Sequence, residues 1–168
     1  MPRSLVLQLI REIDTTPVAD SGVIDELRTL ELPRDEAGWL ELRNRAFAGE
    51  VPTVRPWNSA DFRREMIAQP WWNPERTWVI DAPGLPGRMV GAVTMALRAS
   101  DRAHTPAIHW LMVDPEFRGL GWGRSLIAAL ERAAYNDGYR QVVLETHVNW
   151  RSAVALYQRL GYQQRRQS

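Results

Sequence analysis

Three glycines alternate at Gly119, Gly121 and Gly123 within "VDPEFRGLGWGRSLIAAL", residues 113–130, with Arg118 before them and Arg124 after. An apolar, β-branched run precedes this stretch and a helix-patterned run follows it. Glycine at alternate positions strips side chains from the point where a strand hands over to a helix. The first turn of a helix leaves about four backbone N–H groups unpaired and carries a partial positive charge. A bare loop in front of it lets an anion reach those groups directly. The stretch therefore reads either as a phosphate or pyrophosphate site or as a tight turn with no ligand.

Two familiar phosphate-binding patterns do not fit. A Walker A loop needs a lysine after its last glycine, and all 21 basic residues here are arginine. The lysine-free composition reads first as genome bias and only second as phosphate chemistry. A dinucleotide fingerprint needs G-x-G-x-x-G beside an early strand; here the spacing is G-x-G-x-G in mid-chain. A formal charge of +1 argues against a nucleic-acid partner. The absence of cysteine excludes disulfides, thiolate metal sites and a cysteine nucleophile. His104, His109 and His147 lack metal-ligand spacing, so no metal is expected. No apolar run approaches the roughly 20 residues of a membrane span, and charge returns soon after the start in "MPRSLVLQLIREID". A cytoplasmic location with no membrane partner is expected.

Along the chain, 5–13 reads as a strand or short helix and 23–32 as a strand, the two pairing as a hairpin. Asp35 is expected to cap a helix running to Phe47, and Asn58 or Ser59 a second one. Strands follow at 76–82 and 88–98 around the turn "PGLPG", and at 105–114. The stretch after the glycines carries a helical apolar stripe to Asn136 and stops at Gly138. A strand at 140–148 and a helix ending at Gly161 complete the order. Strand, helix and strand from 108 to 147 imply parallel pairing through a right-handed crossover. The fold class is α/β (α+β), with one mixed sheet and helices on both faces.

"VDPEFRGLGWGRSL" resembles the acyl-CoA loop of the GNAT superfamily of N-acyltransferases. The family pattern Arg/Gln-x-x-Gly-x-Gly/Ala is matched by Arg118, Gly121 and Gly123, after Val113-Asp114-Pro115. "LETHVNWRSAVALYQRLGY", residues 144–162, is similar to the family's second segment, with Asn149, Ala153, Tyr157 and Gly161-Tyr162. The resemblance implies one GNAT domain over 1–168, with 1–22 as an N-terminal extension and 76–162 as the CoA-binding core. It implies a mostly antiparallel sheet in which strands 105–114 and 140–148 splay apart. Acetyl-CoA would be the cosubstrate. Its pyrophosphate would sit on the amides of Arg118, Gly119, Gly121, Trp122, Gly123 and Arg124, with Ser125 in reach. Its pantetheine arm would lie along Leu111, Met112 and Val113. Arg124 reads equally as a solvated surface charge.

Asn149 resembles the family asparagine that bonds the pantetheine amide, and it also stands where it could cap the last helix. Tyr157 matches the family tyrosine that protonates the leaving thiolate. A phenol, with a pKa near 10, suits that role, although a core tyrosine fits the same helix face. The acceptor amine must be neutral to attack. Glu145, interrupting the apolar strand "VVLETHV", is a candidate base whose pKa a covered sheet would raise. Its spacing to Tyr157 is similar to the base–acid pair of ribosomal-protein N-terminal acetyltransferases. A structural carboxylate, His109 or a water chain are the alternatives.

Trp39, Trp57, Trp71, Trp72 and Trp78 crowd the segment that selects the acceptor in GNAT proteins, as pocket lining or as packing. That segment looks similar to mycothiol synthase-like GNAT domains, which points to a small polar amine. After Gly161-Tyr162 at most one short strand fits in "QQRRQS", where the family usually has two. Segment 5–13 or a second subunit would cover the edge, and a homodimer is expected. The reading is an acetyl-CoA-dependent N-acetyltransferase acting on a primary amine of a small molecule or a peptide N-terminus. The alternative is a non-catalytic acyl-CoA-binding regulatory module.

Overall fold

The computed structural model describes residues 5–13, 27–100 and 103–166. Its strands are β1 (Val6–Glu12), β2 (Leu27–Thr29), β3 (Thr77–Ala82), β4 (Leu85–Ser100), β5 (Ala103–Val113), β6 (Gln141–His147) and β7 (Gln163–Gln164). They form one sheet in the order β2–β3–β4–β5–β6–β1–β7. Every neighbouring pair is antiparallel except β5–β6. The helices are α1 (Glu36–Phe47), α2 (Ser59–Phe62, extended by a π turn over Arg63–Ile67), α3 (Trp122–Asn136) and α4 (Arg151–Arg159).

Alternation along the strands sorts side chains to two cores. On one face Ile80, Val90, Val93 and Leu144 meet Leu126, Ile127, Leu130 and Ala134 of α3 and Tyr157 of α4. On the other, Val79, Met89, Ala92 and Met112 meet Trp39, Leu42 and Ala46 of α1 and Phe62 and Met66 around α2. The α3 stripe, at 126, 127, 130 and 134, is the helical spacing that the sequence shows. Burying each large aliphatic chain there stabilises the fold by about 1.5–3 kcal/mol.

The expected hairpin of 5–13 with 23–32 does not form. β1 instead pairs along its whole length with β6, from Val6↔His147 to Glu12↔Gln141, and β2 pairs with β3. The apolar residues of β1 find a deeper core there: Leu9 and Ile13 are each 3% exposed beneath the α3 side. Residues 23–26 of the expected second strand lie outside the described residues. β1 thus lines the edge of β6, and β7 adds Gln163 and Gln164 beyond it. The turn at "PGLPG" is tighter than expected, since β4 already begins at Leu85, opposite Ala82.

Capping at Asn58 takes the full reciprocal form, its side chain accepting from the Asp61 N–H while Asp61 accepts from the Asn58 N–H. Asp35 stands at the N-cap of α1 but makes no side-chain cap bond. Arg28 takes that carboxylate instead, at 2.6 and 3.1 Å, while also gripping Asp81. Two charge-assisted pairs outweigh one cap bond.

The N-terminal strand is pinned by a buried carboxylate. Glu131 of α3, 4% exposed, pairs with Arg11 of β1 and accepts from the Tyr162 hydroxyl at 2.7 Å. Tyr162→Phe leaves one carboxylate oxygen without its donor, and should cost about 1.5–3 kcal/mol in urea denaturation. An unchanged midpoint would show that the network does not hold β1.

Candidate active site

β5 and β6 are joined only at Ala107↔Val143 and Ile108↔Leu144. Immediately after, β5 bulges: β4 meets it at Thr94↔His109 and again at Ala92↔Met112, so Trp110 and Leu111 face Val93 alone. Trp110 takes φ +49°, a left-handed conformation rare for a bulky side chain. The bulge turns β5 away from β6 and opens a split between their C-terminal halves. The Asp114 N–H donates to Val90 O, so alternation directs the N–H of Val113 the other way, into the split, while its C=O accepts from Arg118. By the same alternation Met112 faces β4 with its backbone and is buried under α1 with its side chain.

The loop after β5 is built to hold its shape. Asp114, 2% exposed, accepts from the Glu116 N–H at 3.0 Å, capping the 3-10 turn Pro115–Phe117. Its other oxygen takes Arg45 Nε of α1 at 2.9 Å. Phe117 stacks on Trp122 with centroids 5.3 Å apart, folding the loop over the start of α3. Arg118 turns back, donating to Val113 O at 3.2 Å and to Ala46 O at 3.0 Å. Its side chain therefore ties the loop to the end of α1.

Gly119 and Gly121 both have φ +82°, which glycine adopts freely. Gly121 is the N-cap of α3, and the first helical bond runs from the Ser125 N–H to Gly121 O. The amides of Trp122, Gly123 and Arg124 precede that bond, at the positive end of the helix. A Cβ on Gly123 would lie 3.1 Å from Leu156 of α4, so the third glycine lets α4 close on the helix start. The Ser125 hydroxyl donates back to Gly121 O at 3.2 Å, and the Arg124 side chain is exposed.

The other expected residues differ in burial and in partners. Tyr157 is buried in the α3-side core, edge-on to Tyr162 at 5.9 Å. Burial pushes its phenol well above the usual value, so it is protonated at neutral pH. Asn149 is exposed, and its N–H donates to His147 Nδ1. It is not the helix cap: Trp150 holds that position, with no side-chain cap bond.

Glu145 is not under cover as expected. It is exposed, and Gln8 Nε2 donates to it at 3.3 Å. α1 and α2 lie over β3, β4 and β5, so among the described residues no helix shields this face of β6. Register still gives Glu145 a place. Continuing the pairs 107/143 and 108/144, His109 and Glu145 occupy the first unpaired position on either lip of the split. The His109 ring lies against Trp71 at 4.7 Å and Trp110 at 5.3 Å.

Sequence reasoning missed Asp114, Arg45 and the bulge at Trp110. An Asx–Pro step before a turn is a capping signal that could have found Asp114; nothing local marks Arg45 or Trp110. Among the described residues no group of three or more His, Cys, Asp or Glu could hold a metal, and no helix is long and apolar enough to cross a membrane.

The family model of the acetyltransferase (GNAT) family matches residues 37–162. A mycothiol acetyltransferase of Thermobispora bispora is 33% identical over 167 residues, covering 96% of this chain and 55% of its own length. Another, of Thermomonospora curvata, is 29% identical over 160 residues, covering 94% of this chain and 51% of its own length. The chain thus spans about half the length of these curated relatives. The crystal structure of a GCN5-related N-acetyltransferase from Sphaerobacter thermophilus shares the fold, with TM-score 0.76 at 21% identity, over 95% of this chain and 48% of that one.

Removing the Asp114 carboxylate strips the cap from the turn and a partner from Arg45. Asp114→Ala should lower stability by about 1–3 kcal/mol in urea denaturation. A loss below about 0.5 kcal/mol, the range of ordinary surface substitutions, would mean that the loop does not depend on it.

Proposed function

The chain belongs to the acetyltransferase (GNAT) family, and on that premise we propose that it transfers an acetyl group from acetyl-CoA directly to a primary amine. One observation carries the reading: a strand that splits from its neighbour runs straight into a glycine turn at a helix N-terminus. The split takes the thioester and pantetheine, with Val113 offering its N–H to it. The amides of 118–124 take the pyrophosphate, since bare N–H groups and the helix dipole attract phosphate oxygens. Arg118 acts here by fixing the loop. Residues 76–162 form the CoA-binding core of one domain spanning 1–168.

In the transfer, the amine nitrogen attacks the thioester carbonyl carbon. A backbone N–H in the split stabilises the oxygen as it becomes negative. The C–S bond then breaks, and Tyr157 supplies a proton to the thiolate leaving as CoA. The amine's surplus proton passes to His109 or Glu145, the two bases at the mouth of the split, directly or through water. Asn149 reaches the pantetheine amide.

A small-molecule amine is favoured over a peptide N-terminus, because the similar curated proteins are named mycothiol acetyltransferases. Acetyl-CoA and an amine are the partners, in the cytoplasm. β7 pairs with β1 only at Leu9 and Ile10, so the rest of that edge can be completed by a second copy in a homodimer.

Tyr157→Phe should lower kcat about a hundredfold, as expected for a lost general acid, with the KM for acetyl-CoA unchanged. Free thiol released with a panel of primary amines measures it. Unchanged kcat would remove Tyr157 as the acid. Acetyl-CoA binding without turnover on any amine would support the regulatory module instead.

A further inference from the structure

The core beneath α1 encloses a cation for which the described residues provide no anion. Arg43 is 2% exposed, its guanidinium carbon 3.9 Å from the Trp57 ring centroid and 4.8 Å from that of Trp110. Nη1 donates to Arg55 O at 2.9 Å and Asn44 Oδ1 at 3.1 Å. Nε has no acceptor. Asp61, whose field reaches Arg43, gives its oxygens to Arg55 and Arg64. Arg45 and Arg28, by contrast, each hold a carboxylate. Burial above all, and then the like charge of Arg55, pull Arg43 down to about 10, so it remains a cation at neutral pH.

The surrounding indoles add a second, independent sign. Nε1 of Trp39, Trp72, Trp110 and Trp150 is buried without an acceptor. All of these orphans are N–H donors, so the region lacks acceptor oxygens. Trp39 and Trp110 stand 6.4 Å apart. Phe47, one turn beyond Arg43 on α1, touches Trp110 at 5.5 Å and Trp150 at 5.6 Å. Trp110 forms the bulge on one lip of the split, and Trp150 follows Asn149 on the other. Of the orphaned donors, Trp110 and Trp150 thus stand on the two lips, joined through Phe47 to the end of α1.

We propose that Arg43 receives a carboxylate carried by the acceptor, so that the acceptor class is the amino carboxylates. The amine then points to the thioester and the carboxylate to the guanidinium. The inference rests on the N-acetyl transfer reading above. A carboxylate brings charge and two acceptor oxygens in the geometry a guanidinium fork matches. The corresponding carboxamide brings one acceptor and no charge.

The test uses glycine, β-alanine, 4-aminobutyrate and the common α-amino acids, each against its own carboxamide. Two readouts are taken: acetyl transfer as kcat/KM, and tryptophan fluorescence with CoA present, which needs no turnover. At least one carboxylate should be preferred over its amide by about tenfold or more. Arg43→Gln should erase that preference while acetyl-CoA affinity stays at the native value, and Arg43→Lys should keep part of it. A native protein that prefers no carboxylate in either readout overturns the proposal, as does a preference that survives in Arg43→Gln. If Arg43→Gln fails to fold, the native ratio and Arg43→Lys decide. A protein that binds carboxylates but never acetyl-CoA would sink the transfer reading and leave the Arg43 site standing.

Discussion

Pairing between β5 and β6 stops after Ile108 and Leu144, and the rest of the site is arranged around that stop. Two parallel strands of this length would ordinarily zip along their whole overlap. The bulge prevents it by placing Trp110 and Leu111 against the single residue Val93. Holding a tryptophan at φ +49° costs about 1–3 kcal/mol. The Trp110 ring offsets it through contacts with Trp39, Trp57 and Phe47. The aromatic packing beneath α1 and the opening of the sheet are thus one device. The packing holds the strain, and the strain keeps β5 from pairing with β6 beyond Ile108.

The glycine turn shares the same dependence. It can present its amides only if the end of β5 and the start of α3 keep a fixed relation. Asp114, Arg45 and Arg118 supply that relation by tying the turn to α1. At the far side, β1 and the Arg11–Glu131–Tyr162 network close the sheet against β6. The lip carrying Glu145 and Asn149 is therefore backed by a strand from the opposite end of the chain.

Local features were legible in the sequence and distant pairings were not. The glycine turn, the α3 stripe, the stop at Gly138 and the Gly161-Tyr162 turn each rest on neighbouring residues, and all form where the spacing places them. The nearest strand in sequence is the usual partner of a segment such as β1, whereas its real partner is β6, and nothing local encodes that. The apolar strand around Glu145 suggests cover, but which face a helix covers is decided by where α1 and α2 dock. The tryptophans were visible as a cluster, but their arrangement around Arg43 needs the bulge, and a positive φ at Trp110 has no sequence signal. The GNAT resemblance carried the family without naming the acceptor, because its motifs lie on the cofactor side.

The most direct test of the account is a calorimetric titration with acetyl-CoA of the native chain and of Gly121→Glu. The account predicts one-site binding to the native protein. It predicts none to the variant, whose carboxylate would stand among the amides meant for phosphate at a φ that suits only glycine. Absence of heat from well-folded native protein, or equal binding by both proteins, would contradict the assignment of the split and its glycine turn as the acetyl-CoA site.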